Sequence, residues 1–176
     1  MERFTCREDK VSVGGALAER ACSVWTLTAG TLATAGIRLQ VLPEQGFKSC
    51  GLRVGKELLQ PEVPVWGREL VEQSAFGTCL LFPTPNRVRD HSFTFQGRRV
   101  EMLKHGKPCT QHGIAMDSLW TVTAAGTDDS SAYIAGMLVI APGDENYRAF
   151  PFPCRVEAAY PVSYTHLRAH ETPEHL

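Results

Sequence analysis

Apolar and polar residues alternate along much of the chain. Ser23–Thr28 and Ala35–Val41 send side chains to opposite sides with the two-residue period of a half-buried strand. Leu119–Ala124, Ala132–Ile140 and Arg155–Tyr160 follow the same period and are rich in Val, Ile, Tyr, Trp and Thr. Turn-forming residues separate these runs at Pro43–Gly46, Gly126–Ser131 and Pro142–Asp144. Phe93–Val100 predicts a hairpin that reverses at Gln96-Gly97. Gly15–Cys22 and Lys56–Leu59 are the places where a short helical turn is expected, and neither is long enough to nucleate a stable helix. Many short strands with closely spaced turns predict an all-β sandwich or barrel.

Composition narrows the class without changing it. The 176 residues are 43% apolar and 21% charged, which suffices for a packed core and excludes a wholly disordered chain. The longest apolar run, Ala132–Pro142, is interrupted by Gly136 and falls short of the roughly 20 residues a membrane-crossing helix requires. A formal charge of −1 offers no global attraction to nucleic acid or to an anionic membrane, so neither is expected as a partner. The six cysteines form no CxxC pair, which removes zinc-ribbon and thioredoxin readings. Met1–Lys10 is charged and no secretory apolar core follows it, so the cysteines are read as reduced and the protein as cytoplasmic.

Candidate chemistry concentrates in two stretches. In Gly77–Arg89 an apolar run meets Pro83 and Pro85, which end strand pairing and fix a bend, and Asn86-Arg87 follows at once. Arginine offers a planar fork of donors and asparagine both a donor and an acceptor, a combination suited to neighbouring hydroxyls or a carboxylate. The second stretch is Gln111-His112-Gly113, where an imidazole able to exchange a proton near neutral pH precedes a residue that lets the backbone turn or approach a ligand. Taken singly, an arginine after a proline turn is usually solvated and a lone histidine usually structural. Asp117 reads as a turn residue before the Trp120 strand, Trp120 as core, and Arg89, Arg98 and Arg99 as a solvated hairpin face. His91 and His105 read as exposed loop residues.

Together, Leu81-Phe82-Pro83 with Asn86-Arg87, Phe93–Gly97, His112-Gly113 and Trp120 resemble the first half of the aldose 1-epimerases, the galactose mutarotases. Gly46, Leu52 and Phe150-Pro151-Phe152 add to a likeness that runs from Leu27 to Tyr160. The resemblance implies a galactose-mutarotase-like β-supersandwich, truncated at its C-terminal side, with residues 1–161 as its N-terminal portion. It implies a hexose of the glucose or galactose type as partner, bound by Asn86, Arg87 and His112, with His112 also catalytic and with no metal or cofactor. Mutarotation requires a base for the anomeric proton and an acid for the ring oxygen. The family uses a glutamate and a second histidine for these, and neither has a match here, so the chain is expected to be a weakly active or inactive fragment. A non-catalytic carbohydrate-binding domain and a hexose-phosphate epimerase relative are the alternatives.

The sequence after Pro161 departs from that likeness. Residues 162–172 resemble one reading frame of a transposase adapter used in DNA sequencing, and 162–176 is expected to be a non-native, disordered tail. Its His166, His170, Glu171 and His175 imitate a zinc-binding spacing, and the metal reading is rejected on that ground.

Overall fold

The computed structural model describes residues 4–14, 19–33, 35–63, 77–104, 106–108, 111–164 and 170–175. Five strands, β1 (Phe4–Gly14), β2 (Glu19–Ala29), β3 (Ile37–Leu42), β4 (Lys48–Val54) and β5 (Glu57–Leu58), form one antiparallel sheet in chain order. Two small hairpins follow, β6 (Ser92–Phe95) with β7 (Arg98–Glu101) and β8 (Leu103–Lys104) with β9 (Lys107–Pro108). A second antiparallel sheet is built from β10 (Thr121–Thr127), β11 (Ala132–Ile140), β12 (Cys154–Val162) and β13 (His170–His175). The one-turn helix α1 (Glu145–Ala149) joins β11 to β12.

Period-two patterning produces the core. In β12, Cys154, Val156, Ala158, Tyr160 and Val162 are buried while the residues between them are partly exposed. Ile37, Leu39 and Val41 of β3 face them from the first sheet, with Leu27 of β2 and Ile134, Leu138 and Ile140 of β11 in the same cluster. Phe47 joins the two sheets: fully buried, it stacks on Trp120 at 5.4 Å and on Tyr160 at 5.6 Å between ring centroids. Burying one such ring contributes about 1.5–3 kcal/mol relative to leaving it in water. Its place depends on Gly136 in mid-strand of β11, where a Cβ would lie 2.4 Å from the Phe47 ring. A smaller cluster of Val24, Leu42 and Cys50 sits apart from this core, covered by Val11 and Val63.

The all-β expectation holds, and the hairpin turning at Gln96-Gly97 is β6–β7, with both turn residues at positive φ. The two expected helical turns are corrected. Glu19–Cys22 belongs to β2, where Cys22 pairs with Val11, and Gly15–Ala18 lies outside the described residues. Glu57 and Leu58 pair with Val54 and Arg53 as the return arm of a tight hairpin, because the Gly55-Lys56 turn brings backbone partners within reach. Among the described residues, β1, β4, β8, β9, β13 and α1 were not anticipated. In β1 the charged residues that obscure the strand pair along it, Arg7 with Asp9 at 2.7 Å and Lys10 with Glu8 at 2.6 Å, as suits an edge.

Within the segment set apart as a tail, Val162 completes β12, and His170–His175 runs antiparallel to Cys154–Ala159 as β13. No helix among the described residues is long and apolar enough to cross a membrane.

Candidate functional site

The Pro-rich segment and the His-Gly segment, far apart in sequence, are stitched together by backbone hydrogen bonds. Thr78 exchanges two such bonds with Ser49 of β4, at 2.7 and 3.1 Å, which anchors the start of the Gly77–Arg89 stretch on the first sheet. Phe82 then forms a parallel bridge with Gly113, and its carbonyl accepts from the N–H groups of Ile114 (2.7 Å) and Ala115 (3.2 Å). Arg87 pairs antiparallel with Gln111, and the Asn86 carbonyl accepts from the His112 N–H at 3.3 Å. The peptide between Phe82 and Pro83 is cis.

This stitching fixes the imidazole. His112 has φ +64° and Gly113 φ +67°, a pair of left-handed residues that turns the chain outward and then back into the core at buried Ile114. His112 Nδ1 lies 3.1 Å from the carbonyl oxygen of Pro85, and Nε2 lies 2.5 Å from the side-chain amide nitrogen of Gln111. The ring is thus oriented by Pro85. Asp117 lies in the short 3₁₀ turn Ala115–Asp117 before the Trp120 strand, as its turn reading expected.

Half-buried His112 lines a groove of about 460 Å³, within the usual range for a small-molecule site. Cys79, Leu81, Gln111, Met116 and Asp117 line it as well. The Ser49–Thr78 pairing sets Lys48, only 3% exposed, across the ladder from Cys79. Burial pushes the Cys79 thiol above its ordinary range; the Lys48 charge opposes that rise and Asp117 adds to it.

Of the three residues expected to contact ligand, His112 lines the groove. Asn86 and Arg87 are exposed beside it, joined to the His112 segment through the backbone, and their side chains are not among its lining. The Asn86 side-chain oxygen accepts from the Arg87 N–H at 2.8 Å, which leaves its amide N–H₂ as the group turned to other partners. Trp120 is core, as expected: its indole N–H donates to the Ala115 carbonyl at 3.2 Å. Arg98 and Arg99 are exposed on the hairpin, Arg98 with its guanidinium 5.6 Å from the Phe152 ring centre, and Arg89 is exposed in the 3₁₀ turn that precedes it. His91 departs from the exposed-loop reading. It is half-buried, with Nδ1 enclosed and without a hydrogen-bond partner. His105, Cys109 and His166 lie outside the described residues. Cys6, Cys50 and Cys154 are free thiols. Sequence reading gave no role to Lys48, because lysine is seldom buried and nothing in Phe47–Cys50 marks it as enclosed.

The aldose 1-epimerase family model matches residues 54–170. The chain belongs to the aldose 1-epimerase family. The match includes both segments of the groove and continues into the stretch after Pro161. Among solved structures the fold of this family member is similar to that of a galactose mutarotase-like protein from Clostridium acetobutylicum, at 18% identity and a TM-score of 0.71, covering 98% of this chain and 50% of that one. It is also similar to a protein from Synechocystis, at 22% identity and a TM-score of 0.63, covering 86% of this chain and 48% of that one. A candidate aldose 1-epimerase from Escherichia coli K12 is similar at 14% identity and a TM-score of 0.60, covering 96% of this chain and 47% of that one. No curated protein matches the chain in sequence. The fold is the galactose mutarotase-like all-β one, and the chain spans about half the length of these solved structures.

Proposed function

We propose that this chain carries the hexose-binding part of an aldose 1-epimerase, a cytoplasmic enzyme that interconverts α and β anomers of glucose- or galactose-type sugars. The observation that supports this best is His112, held by the Pro85 carbonyl with its other ring nitrogen towards Gln111 in a groove of ligand size. Asn86 and Arg87 beside that groove supply hydrogen-bond donors for sugar hydroxyls. In the reaction, a base removes the proton of the anomeric hydroxyl and an acid protonates the ring oxygen; the C1–O5 bond breaks, the C1 aldehyde rotates and the ring closes on its other face. We assign His112 as the catalytic residue, acting on the hydroxyl at the anomeric centre.

The glutamate base and second histidine of the family have no match in this sequence, so the chain alone is proposed to be weakly active or inactive. A non-catalytic carbohydrate-binding domain is the second reading, favoured by a described groove lining in which Asp117 is the carboxylate and His112 the imidazole. Residues 162–172 are proposed to be non-native, with no part in the site.

NMR titration with glucose or galactose tests binding. Shifts are expected at Asn86, Arg87 and Gln111–Gly113 and are lost in the His112→Ala, Arg87→Ala double variant; a silent titration overturns the sugar reading. Polarimetry on fresh α-glucose tests catalysis. A rate close to the spontaneous one is expected, and a rate well above that of the double variant overturns the proposed inactivity.

A further inference from the structure

We propose that Gln111 is a positioning residue for His112: the Pro85 carbonyl fixes which ring nitrogen carries the proton, Gln111 holds the ring through the other nitrogen, and it occupies that groove-facing nitrogen until a sugar hydroxyl replaces it. The last clause rests on the sugar reading given above; the others do not.

A backbone carbonyl only accepts, so the 3.1 Å contact with Pro85 requires a proton on His112 Nδ1. In a neutral ring this leaves Nε2 bare, a pure acceptor. The side chain 2.5 Å from Nε2 is that of Gln111. An amide N–H₂ donates to a bare nitrogen, whereas the amide oxygen would face it lone pair to lone pair, so chemistry selects the orientation with N–H₂ towards the ring.

The backbone of Gln111 is fixed by its pairing with Arg87, and that of His112 by the Asn86 carbonyl. Rotation of the Gln111 side chain alone is therefore enough to uncover Nε2, with no loop movement. Both residues line the groove, so a ligand there meets Nε2 once the amide turns aside. The neutral ring can then accept a proton from a sugar hydroxyl and cannot give one to the ring oxygen. This assigns His112 the part of a hydrogen-bond acceptor for a sugar hydroxyl. The charged or titratable groups sharing the groove are Asp117 and Cys79, with Lys48 across from the latter.

The test is long-range ¹H–¹⁵N NMR of the His112 ring in the full chain at pH 7, assigned by loss of its signals in His112→Ala. Wild type is expected to show the Nδ1–H tautomer, and so is Gln111→Leu, with the Nε2 resonance moved because its donor is gone. Gln111→Glu places an acceptor at Nε2 and is expected to give a ring protonated on both nitrogens. An Nε2–H tautomer in the wild type, or a ring indifferent to both substitutions, overturns the proposal. Each variant's amide spectrum establishes that it folds.

Sugar titration is the second arm. Gln111→Ala removes the competitor, so sugar is expected to bind about three- to tenfold more tightly, the worth of one net hydrogen bond. Gln111→Asn, whose side chain is one methylene shorter, is expected to behave as Gln111→Ala does. Weaker binding in Gln111→Ala overturns the occupancy part and makes Gln111 a direct sugar contact. No binding by any variant, with the Nδ1–H tautomer present, overturns the sugar reading and supports the hold of Gln111 on the ring.

Discussion

A Cβ atom on Gly113 would stand 2.1 Å from the carbonyl oxygen of Phe82. The two segments of the groove touch here with no room for a side chain, at a residue whose φ of +67° already disfavours one. Gly113→Ala is expected to force Phe82 and Gly113 apart and to cost about 2 kcal/mol or more in chemical denaturation. The sugar-dependent shifts at His112 should disappear with it. An unchanged midpoint would mean that the two segments are not seated as described.

His112→Ala is expected to separate function from stability. The side chain is half-buried and bonded at a loop, so its removal should cost no more than about 1 kcal/mol in thermal unfolding. Sugar binding should be lost. Retained binding with full stability would place the ligand elsewhere.

Gly136→Ala addresses the joint between the sheets. The Phe47 ring is stacked between Trp120 and Tyr160 and cannot move away from a methyl group placed 2.4 Å from it. A destabilisation of about 1–3 kcal/mol is expected from overpacking, measured as a lowered denaturation midpoint.

Acid stability has a defined source. A hydrogen bond from Arg53 holds the Glu62 carboxyl below its ordinary range against the opposing effect of burial, and the Arg38 charge assists. A carboxyl with a folded-state pKa below its unfolded value stabilises the fold above the unfolded value, about 4.3, and that contribution fades as pH falls through the folded one. Denaturation midpoints between pH 7 and pH 3 should therefore fall less steeply in Glu62→Gln than in wild type. Parallel curves would show that the cluster contributes nothing.

Thiol labelling ranks the cysteines. Burial pushes the Cys50 thiol up to about 12, so at pH 8 it holds almost no thiolate and native-state labelling there should be negligible. Half-buried Cys79 should react ahead of it. Lys48 lowers the Cys79 thiol pKa, so Lys48→Met should slow that reaction further. Faster labelling of Cys79 in Lys48→Met would put the ammonium out of electrical reach of it.

Strands with one buried face were legible because burial writes itself into a two-residue period, as in β3, β11 and β12. β1 was not, because an edge strand keeps charges that its own neighbours neutralise, and Arg7–Asp9 and Lys10–Glu8 look from sequence like a solvated leader. Lys56–Leu59 was misread because four residues cannot distinguish a helical turn from the tip of a hairpin. Within the site, His112 was legible from its glycine. The importance of Gln111 and Pro85 was not, since it arises from Pro85 and His112 meeting across 27 positions of chain.

Trp120 connects the groove to the interior by two short links. Its indole N–H is bonded to Ala115, whose own N–H is held by Phe82, and its ring lies on Phe47 between the sheets. The chain therefore carries its own optical reporter. The emission of this indole responds both to loss of the Phe47 stack and to strain on Ala115, so occupancy of the groove should be readable in unlabelled protein as a change in tryptophan fluorescence before any unfolding begins.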